Sequence, residues 1–362
     1  MADWPDHRVL DLFGIELPIV QAPMAGATSP AMVSAVSEAG GLGSLPCALL
    51  SVDQARAALV EIRQATRRPI NLNFFCHQPP VPEPARLLAW RTLLAPYYAE
   101  LGLDADPPPA AGRAPFDDAF CRLVEEHRPE VVSCHFGLPE PALLARVRAS
   151  GARVIASATT VAEARWLEER GCDAIIAMGW EAGGHRGTFL GDDLLGGDMA
   201  RQVGTMALVP QMVDAVRVPV IAAGGIGDAR GIHAALALGA AAVQLGTAYL
   251  LTPEATISAA HRAALRAAAD DGTMVTNLFT GRPARGLVNR LMREIGPLSP
   301  AAPAFPLAGG ALAPLRAKAE TQGSTDFTNQ WAGQAAAFAR ELPAGELTRQ
   351  LAAETLARLA PR

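Results

Sequence analysis

The sequence predicts an α/β protein: a (β/α)8 TIM barrel with a smaller, mostly helical second domain inserted after the last strand. Three observations lead there. Apolar runs of about five residues alternate with helical patterns, as repeated βα units and a parallel sheet require. Eight such runs occur, the number that closes a barrel. At 362 residues the chain exceeds the ~250 of a plain barrel, which leaves room for one appendage.

The expected strands, in order, are residues 18–22, 41–45, 70–75, 131–136, 153–157, 174–178, 218–223 and 242–245. Short, unbroken apolar runs such as Ala174-Ile-Ile-Ala-Met178 suit strands buried on both faces. Helical patterns fill the gaps at 29–39, 51–65, 116–126, 140–150, 160–170, 205–215 and 228–238. Several open on Ser, Thr or Asp as N-cap and close on Gly40, Gly151, Gly171 or Gly239. Three connections are oversized: the proline-rich stretch 76–115, the glycine- and aspartate-rich stretch 187–204, and everything from 251 to 338. The division expected is a barrel over 1–250, a helical cap over 251–335 and a C-terminal helix over 336–362 that packs back on the barrel. Trp331-Ala-Gly-Gln334 reads as helical, part of a closing element that docks.

A net charge of −5 argues against nucleic acid and anionic membrane surfaces as partners. Gly239, Gln244 and Gly246 divide the apolar stretch 232–251 into a helix and a strand rather than a membrane span. The start of the chain lacks a signal-peptide pattern, and five scattered cysteines with no C-x-x-C pair suit a reduced, cytoplasmic protein, monomer or homodimer. Seven histidines show no metal-ligand spacing, so no metal is expected. Lys318 is the only lysine, which leaves anion binding to arginine, backbone amides and helix N-termini.

The chemically suggestive residues gather at the C-terminal ends of the expected strands, where barrel enzymes keep their chemistry. Ala22, Pro23 and Met24 end the first strand, Asn71 lies on the third and His135 ends the fourth. Met178, Gly183, Gly184 and His185 follow the sixth, Gly224 and Gly225 the seventh, and Gln244, Leu245, Gly246 and Thr247 the eighth. Glycine amides after strands seven and eight suit a phosphate cup. Beside a glycine-lined shelf and apolar Met24, that cup suggests a flat phosphorylated cofactor, and FMN fits. His185, on a loop after paired glycines, is the candidate base near neutral pH. Glu181 either orients it or caps a loop. Arg282 and Arg285, around a turn, suit a carboxylate or phosphate, or an interdomain ion pair. No cysteine lies in the loop after the sixth strand, which leaves no thiolate nucleophile there.

The set Gln21-Ala-Pro-Met24, Asn71-Leu-Asn-Phe-Phe75, His135-Phe-Gly137, Glu181-Ala-Gly-Gly-His185-Arg-Gly187, Gln244-Leu-Gly-Thr247, Thr276 to Gly286 and Trp331-Ala-Gly-Gln334 resembles the nitronate monooxygenase family, once grouped as 2-nitropropane dioxygenases. The resemblance implies noncovalent FMN held by Asn71, Gly183, Gly224 and 244–247, and His185 as base or substrate anchor. It also implies oxidation of alkyl nitronates such as propionate 3-nitronate, or of a related nitro compound, by O2. Members of that family associated with efficient propionate 3-nitronate oxidation carry Tyr-x3-Tyr-x3-Lys where this chain has Phe305, Gly309 and Ala313; a glutamine of some members matches Met178. Substrate contacts are expected from His135, Arg282 and Phe305. Two other functions fit the same residues: an NAD(P)H-dependent flavin reductase of an enoyl thioester or quinone, and a noncatalytic flavin-binding barrel.

Overall fold

Eight parallel strands wrap into the barrel that the apolar runs predict. The structure is a computed structural model that describes residues 3–104, 113–191 and 197–360. Parts of two expected oversized connections, residues 105–112 and 192–196, lie outside the described residues. In chain order the barrel strands are β1 (Ile19–Gln21), β2 (Gly43–Pro46), β3 (Ile70–Phe75), β4 (Val131–His135), β5 (Arg153–Ala158), β6 (Ala174–Met178), β8 (Val220–Ala223) and β9 (Ala242–Leu245). Three more strands, β7 (Gly184–His185), β10 (Thr273–Thr276) and β11 (Ala284–Leu287), form a separate antiparallel sheet.

The barrel runs β1-β9-β8-β6-β5-β4-β3-β2, every pairing parallel. Between β2 and β1 the ring closes through the single bridge of Val20 with Leu42. There Gln21 N donates to Leu42 O at 2.9 Å, and Ser44 N donates to the Gln21 side-chain Oε1 at 2.9 Å. A side-chain amide thus supplies a rung that the backbone ladder lacks.

Strand alternation sorts the residues of β3. Phe74 points outward, its ring 4.7 Å from Phe116 and 5.3 Å from Phe120. Asn73 and Phe75 face the barrel interior. That interior is unusually polar for a barrel, where branched aliphatics are the rule. Asn71 Nδ2 donates to Ser44 Oγ at 3.0 Å and to Ser133 Oγ at 2.9 Å, and Asn73 Nδ2 donates to Ser133 Oγ at 3.0 Å. Helices cover the outside, with Ser29, Ser51, Asp117, Thr160 and Asp228 as side-chain N-caps. The final helix, Ala344–Leu359, packs between helices Pro30–Glu38 and Ala229–Ala237 and completes the ring. Among the described residues no helix is long and apolar enough to cross a membrane.

Two features differ from the sequence reading. The first is the small sheet: β10 and β11 lie within the stretch read as mostly helical, and β11 pairs Ala284 with His185 of β7. A two-residue strand such as β7 carries no readable alternation. The second is a hydrophobic cluster separate from the barrel core. In it Trp90, Leu94, Tyr97 and Tyr98, from helix Pro84–Leu101 in the connection after β3, pack with Leu278, Leu291, Leu312, Leu315 and Phe327. Trp90 Nε1 donates to Ala308 O at 3.1 Å and Tyr98 OH donates to Ala311 O at 2.6 Å. That helix, expected within the barrel division, therefore packs with the cover.

Candidate active site

The C-terminal ends of the barrel strands open into a cavity of about 390 Å³. Its walls include Ala22, Pro23 and Met24 after β1, Asn73 and Phe75 of β3, His135 of β4 and Met178 of β6. Gly183, Gly184, His185, Gly224, Gly225, Gln244, Gly246 and Thr247 continue the wall. Trp331 and its neighbours close it from the cover side.

His185 is on a strand rather than a free loop. Its backbone is held by β11 on one side, and its carbonyl accepts from His135 Nε2 at 3.1 Å. A carbonyl only accepts, so His135 carries its proton on Nε2. Its Nδ1 then accepts from Ser157 Oγ at 2.6 Å. His135 is thereby committed to holding the position of His185. The His185 ring lies within 6.0 Å, centroid to centroid, of Phe305, Trp331, Phe75 and Phe136. Its Nε2 is 3.0 Å from Thr280 Oγ1. The Thr280 hydroxyl donates to Arg282 O at 3.3 Å, so the imidazole must supply the proton between Nε2 and Oγ1. Nδ1, with no protein partner among the described residues, is left with its lone pair as the basic atom.

Burial, with the charges of Arg113, His135, Arg282 and His77, holds the His185 pKa well below its ordinary 6.5. Burial likewise pulls His77 and His261 to about 4 and His135 to about 3. These rings are neutral in the folded protein near neutral pH, and the unfolded chain titrates them near 6.5. Between about 4 and 6.5 the unfolded state binds more protons, so stability falls as pH falls. We expect Tm to be flat above pH 7 and to drop steeply from pH 6.5 to 4, before most carboxylates titrate. A Tm constant across that window, followed by differential scanning calorimetry, would contradict neutral burial.

The electrostatics of the site run against the acidic chain. Many exposed and half-exposed arginines are ion-paired, among them Arg63 with Glu130, Arg146 with Glu125 and Arg340 with Glu354. Arg113, Arg186, Arg282, Arg285 and Arg316, around the cavity, form no such pair among the described residues. Arg186 instead donates to the carbonyls of Met178 and Gly179, and Arg285 to Trp180 O at 3.1 Å. Arg282 donates to Thr188 O and lies 4.0 Å from the Phe136 ring centroid, with its Nε unpartnered. Arg282 and Arg285 thus tether the cover to the loop after β6 through backbone carbonyls, and neither forms an interdomain ion pair among the described residues.

A family model described as nitronate monooxygenase matches residues 6–354. The chain belongs to the nitronate monooxygenase family. It is 45% identical over 352 residues to the nitronate monooxygenase of Pseudomonas aeruginosa, covering 96% of this chain and 98% of that one. Identity to the Paraburkholderia phytofirmans nitronate monooxygenase is 43%, with 98% and 96% covered. Among solved structures, the nitroalkane oxidase of Streptomyces ansochromogenes superposes with TM-score 0.88 at 41% identity, covering 97% and 98%. FabK of Thermotoga maritima superposes with TM-score 0.71 at 28% identity, covering 97% and 96%. Nitronate monooxygenases are flavoenzymes, and membership makes this chain an oxidoreductase of the class that acts on nitro compounds.

Most residues expected of a nitronate monooxygenase site stand on the cavity wall; four stand behind it. Asn71 is fully buried in the hydrogen-bonded barrel interior, a layer below the wall. Leu245 points the other way from Gln244 and enters the hydrophobic core. Arg282 and Phe305 back the His185 pocket from the cover. Glu181 accepts from Thr205 N at 2.8 Å and Oγ1 at 2.9 Å, capping helix Thr205–Ala215 rather than orienting His185. Residues 331–334, read as helical, form an extended strap: Trp331 bridges Gly286, Gly333 N donates to Thr247 Oγ1 at 2.9 Å, and Gln334 N donates to Glu181 O at 3.0 Å. The sequence reading missed Thr280, Arg113, Arg316 and Asn329. Thr280 sat inside a quoted motif, but nothing in its spacing tied it to a histidine 95 residues away.

Proposed function

We propose that this protein is an FMN-dependent oxidoreductase that oxidises alkyl nitronates, propionate 3-nitronate or a related nitro compound, with O2. The observation that carries this reading is a cavity bordered by guanidinium groups without carboxylate partners, beside a neutral His185, in a chain of net charge −5. Nitronates are anions, and so is the phosphate of FMN. Family membership supports the same reaction class.

Ala22, Pro23, Met24, Met178, Gly183, Gly184, Gly224, Gly225, Gln244, Gly246 and Thr247 would hold FMN. The residues fit it. Gly224 and Gly225 have positive φ and offer close backbone approach. Met24 and Met178 supply apolar wall. Gln244 Oε1 is a buried acceptor with no partner among the described residues, complementary to an N–H at a ring edge. Asn71 positions Ser44 and Ser133 beneath the floor. Bound FMN would supply the electron-accepting chemistry, with O2 as the final oxidant. His185 Nδ1 takes the α-proton of a neutral nitroalkane, which converts it to the nitronate. His135 and Thr280 hold that ring in place, and the aromatic cage around it excludes water.

The test is anaerobic mixing of the purified protein with propionate 3-nitronate and, in parallel, with NAD(P)H. The flavin spectrum should change with the nitronate and stay constant with NAD(P)H. Bleaching by NAD(P)H alone would move the assignment to the reductase reading, which the likeness to FabK favours. Protein isolated without flavin, or inert to both reagents, would count against catalysis by bound FMN.

A further inference from the structure

Two arginines on the cavity wall make it attractive to anions, and the reading above assigns neither of them a particular group to bind. Arg113 follows β3 in space, because Phe116 N donates to Phe75 O at 2.7 Å, and its half-buried side chain lines the cavity. Arg316, on helix Ala308–Thr321, lines the same cavity at its exposed rim. Its Nη1 donates to Asn329 Oδ1 at 3.3 Å, and Asn329 is also on the wall.

We propose that Arg113, assisted by Arg316 at the rim, is a subsite for a carboxylate at the end of the substrate remote from the nitro group. The proposal rests on the nitronate reading and names what selects the substrate.

Four observations carry it. Neither guanidinium forms an ion pair among the described residues, although several arginines elsewhere do, Arg63 with Glu130 and Arg290 with Glu100 among them. Among the described residues the only carboxylate on the wall is that of Glu181, already committed to the amide and hydroxyl of Thr205. Arg113 lies 5.7 Å from the Phe305 ring centroid, and the same ring is 5.3 Å from His185. An anion on Arg113 is therefore one aromatic ring away from the reacting centre, the spacing of a two-ended small molecule. Finally, β3 and β8 are diametrically opposed in the eight-strand ring. Arg113, at the β3 end, faces across the barrel from Gly224 and Gly225, where the cofactor phosphate is expected. The arginines and the glycine amides thus suit two different anions. Burial and the charge of Arg316 depress the Arg113 pKa, so a carboxylate there also relieves repulsion between the two cations.

The experiment compares propionate 3-nitronate with butyl 1-nitronate, which lacks the carboxylate. The native enzyme should favour the carboxylated nitronate in kcat/KM. Arg113→Met should lower that preference about 10–100-fold, the range of a lost charge-assisted hydrogen bond, mainly through KM. Arg316→Ala should lower it less and in a salt-dependent way, as befits an exposed charge. An unchanged preference in Arg113→Met, or an equal loss on both nitronates, would overturn the proposal. Loss of bound flavin in Arg113→Met would also overturn it, by placing Arg113 on the cofactor.

Calorimetric binding of 3-nitropropionate and 1-nitrobutane to the same proteins gives a readout without turnover. If the native protein oxidises neither nitronate, the functional reading fails. The subsite still stands if 3-nitropropionate binds more tightly than 1-nitrobutane in the native protein and not in Arg113→Met. Equal binding of the two ligands by the native protein overturns it.

Discussion

His185→Ala is expected to leave flavin bound and to lower the turnover of neutral nitroalkanes by ~10²–10⁴-fold, the usual worth of a positioned general base. The wall residues proposed to hold FMN are untouched by the substitution. What disappears is Nδ1, the atom left basic by the hydrogen bonds around Thr280. A preformed nitronate needs no proton removed, so its turnover should fall much less. Because burial holds His185 neutral, the native enzyme should show no inflection in kcat/KM near pH 6.5. A low pKa keeps the base available at every ordinary pH while weakening it. Thr280→Val, which cannot accept from Nε2, should lower kcat for nitroalkanes and alter the pH profile, and Thr280→Ser should restore both. Equal losses on nitroalkane and nitronate in His185→Ala would make His185 a substrate anchor rather than a base.

Gly183→Ala should yield protein with little or no flavin and reduced stability. A Cβ at 183 would lie 2.5 Å from Gly333 N and 2.6 Å from the Ala332 carbonyl carbon, both backbone atoms that cannot turn aside. Relief requires the 331–334 strap to move off the loop after β6. That movement breaks the hydrogen bond from Gly333 N to Thr247 Oγ1 and opens the wall on the side expected to hold cofactor. Overpacking of this kind costs about 1–3 kcal/mol, and more where backbone meets backbone. The ratio of flavin to protein absorbance, with a thermal melt, checks both effects. A variant that is yellow and as stable as the native protein would show that the strap is loosely held. Gly333→Ala, whose Cβ would lie 2.8 Å from Glu181 O, should behave alike.

The barrel was legible because each strand carries its own local signal. Ala174-Ile-Ile-Ala-Met178 and Val131-Val132 are buried on both faces, and burial of that kind writes an unbroken apolar run. The position of His185 at the mouth followed from the barrel rule, as did that of His135 at the end of β4, but that His135 holds the His185 carbonyl did not. What surrounds His185 was less legible. Thr280, Phe305 and Trp331 come from beyond β9, and their meeting depends on pairing between two-residue β7 and β11. No periodicity encodes a contact across a hundred residues. Helix Pro84–Leu101 failed differently: its apolar residues lie around the helix rather than on one stripe, so its allegiance to the cover could not be read from its pattern. Arg113 lies in a proline-rich connection where a single arginine has no distinguishing context.

Gln21 supplies the rung between β1 and β2 that the backbone leaves out, and one bridge is otherwise all that joins those strands. The barrel thus has a preferred place to part. In hydrogen exchange the amides of Gln21 and Ser44 should open together and ahead of those in β4, β5 and β6, whose ladders are continuous. Since Ala22 to Met24 follow directly from β1, the weakest joint of the cylinder is also the one that carries part of the ligand wall, and a bound ligand should act as its clasp.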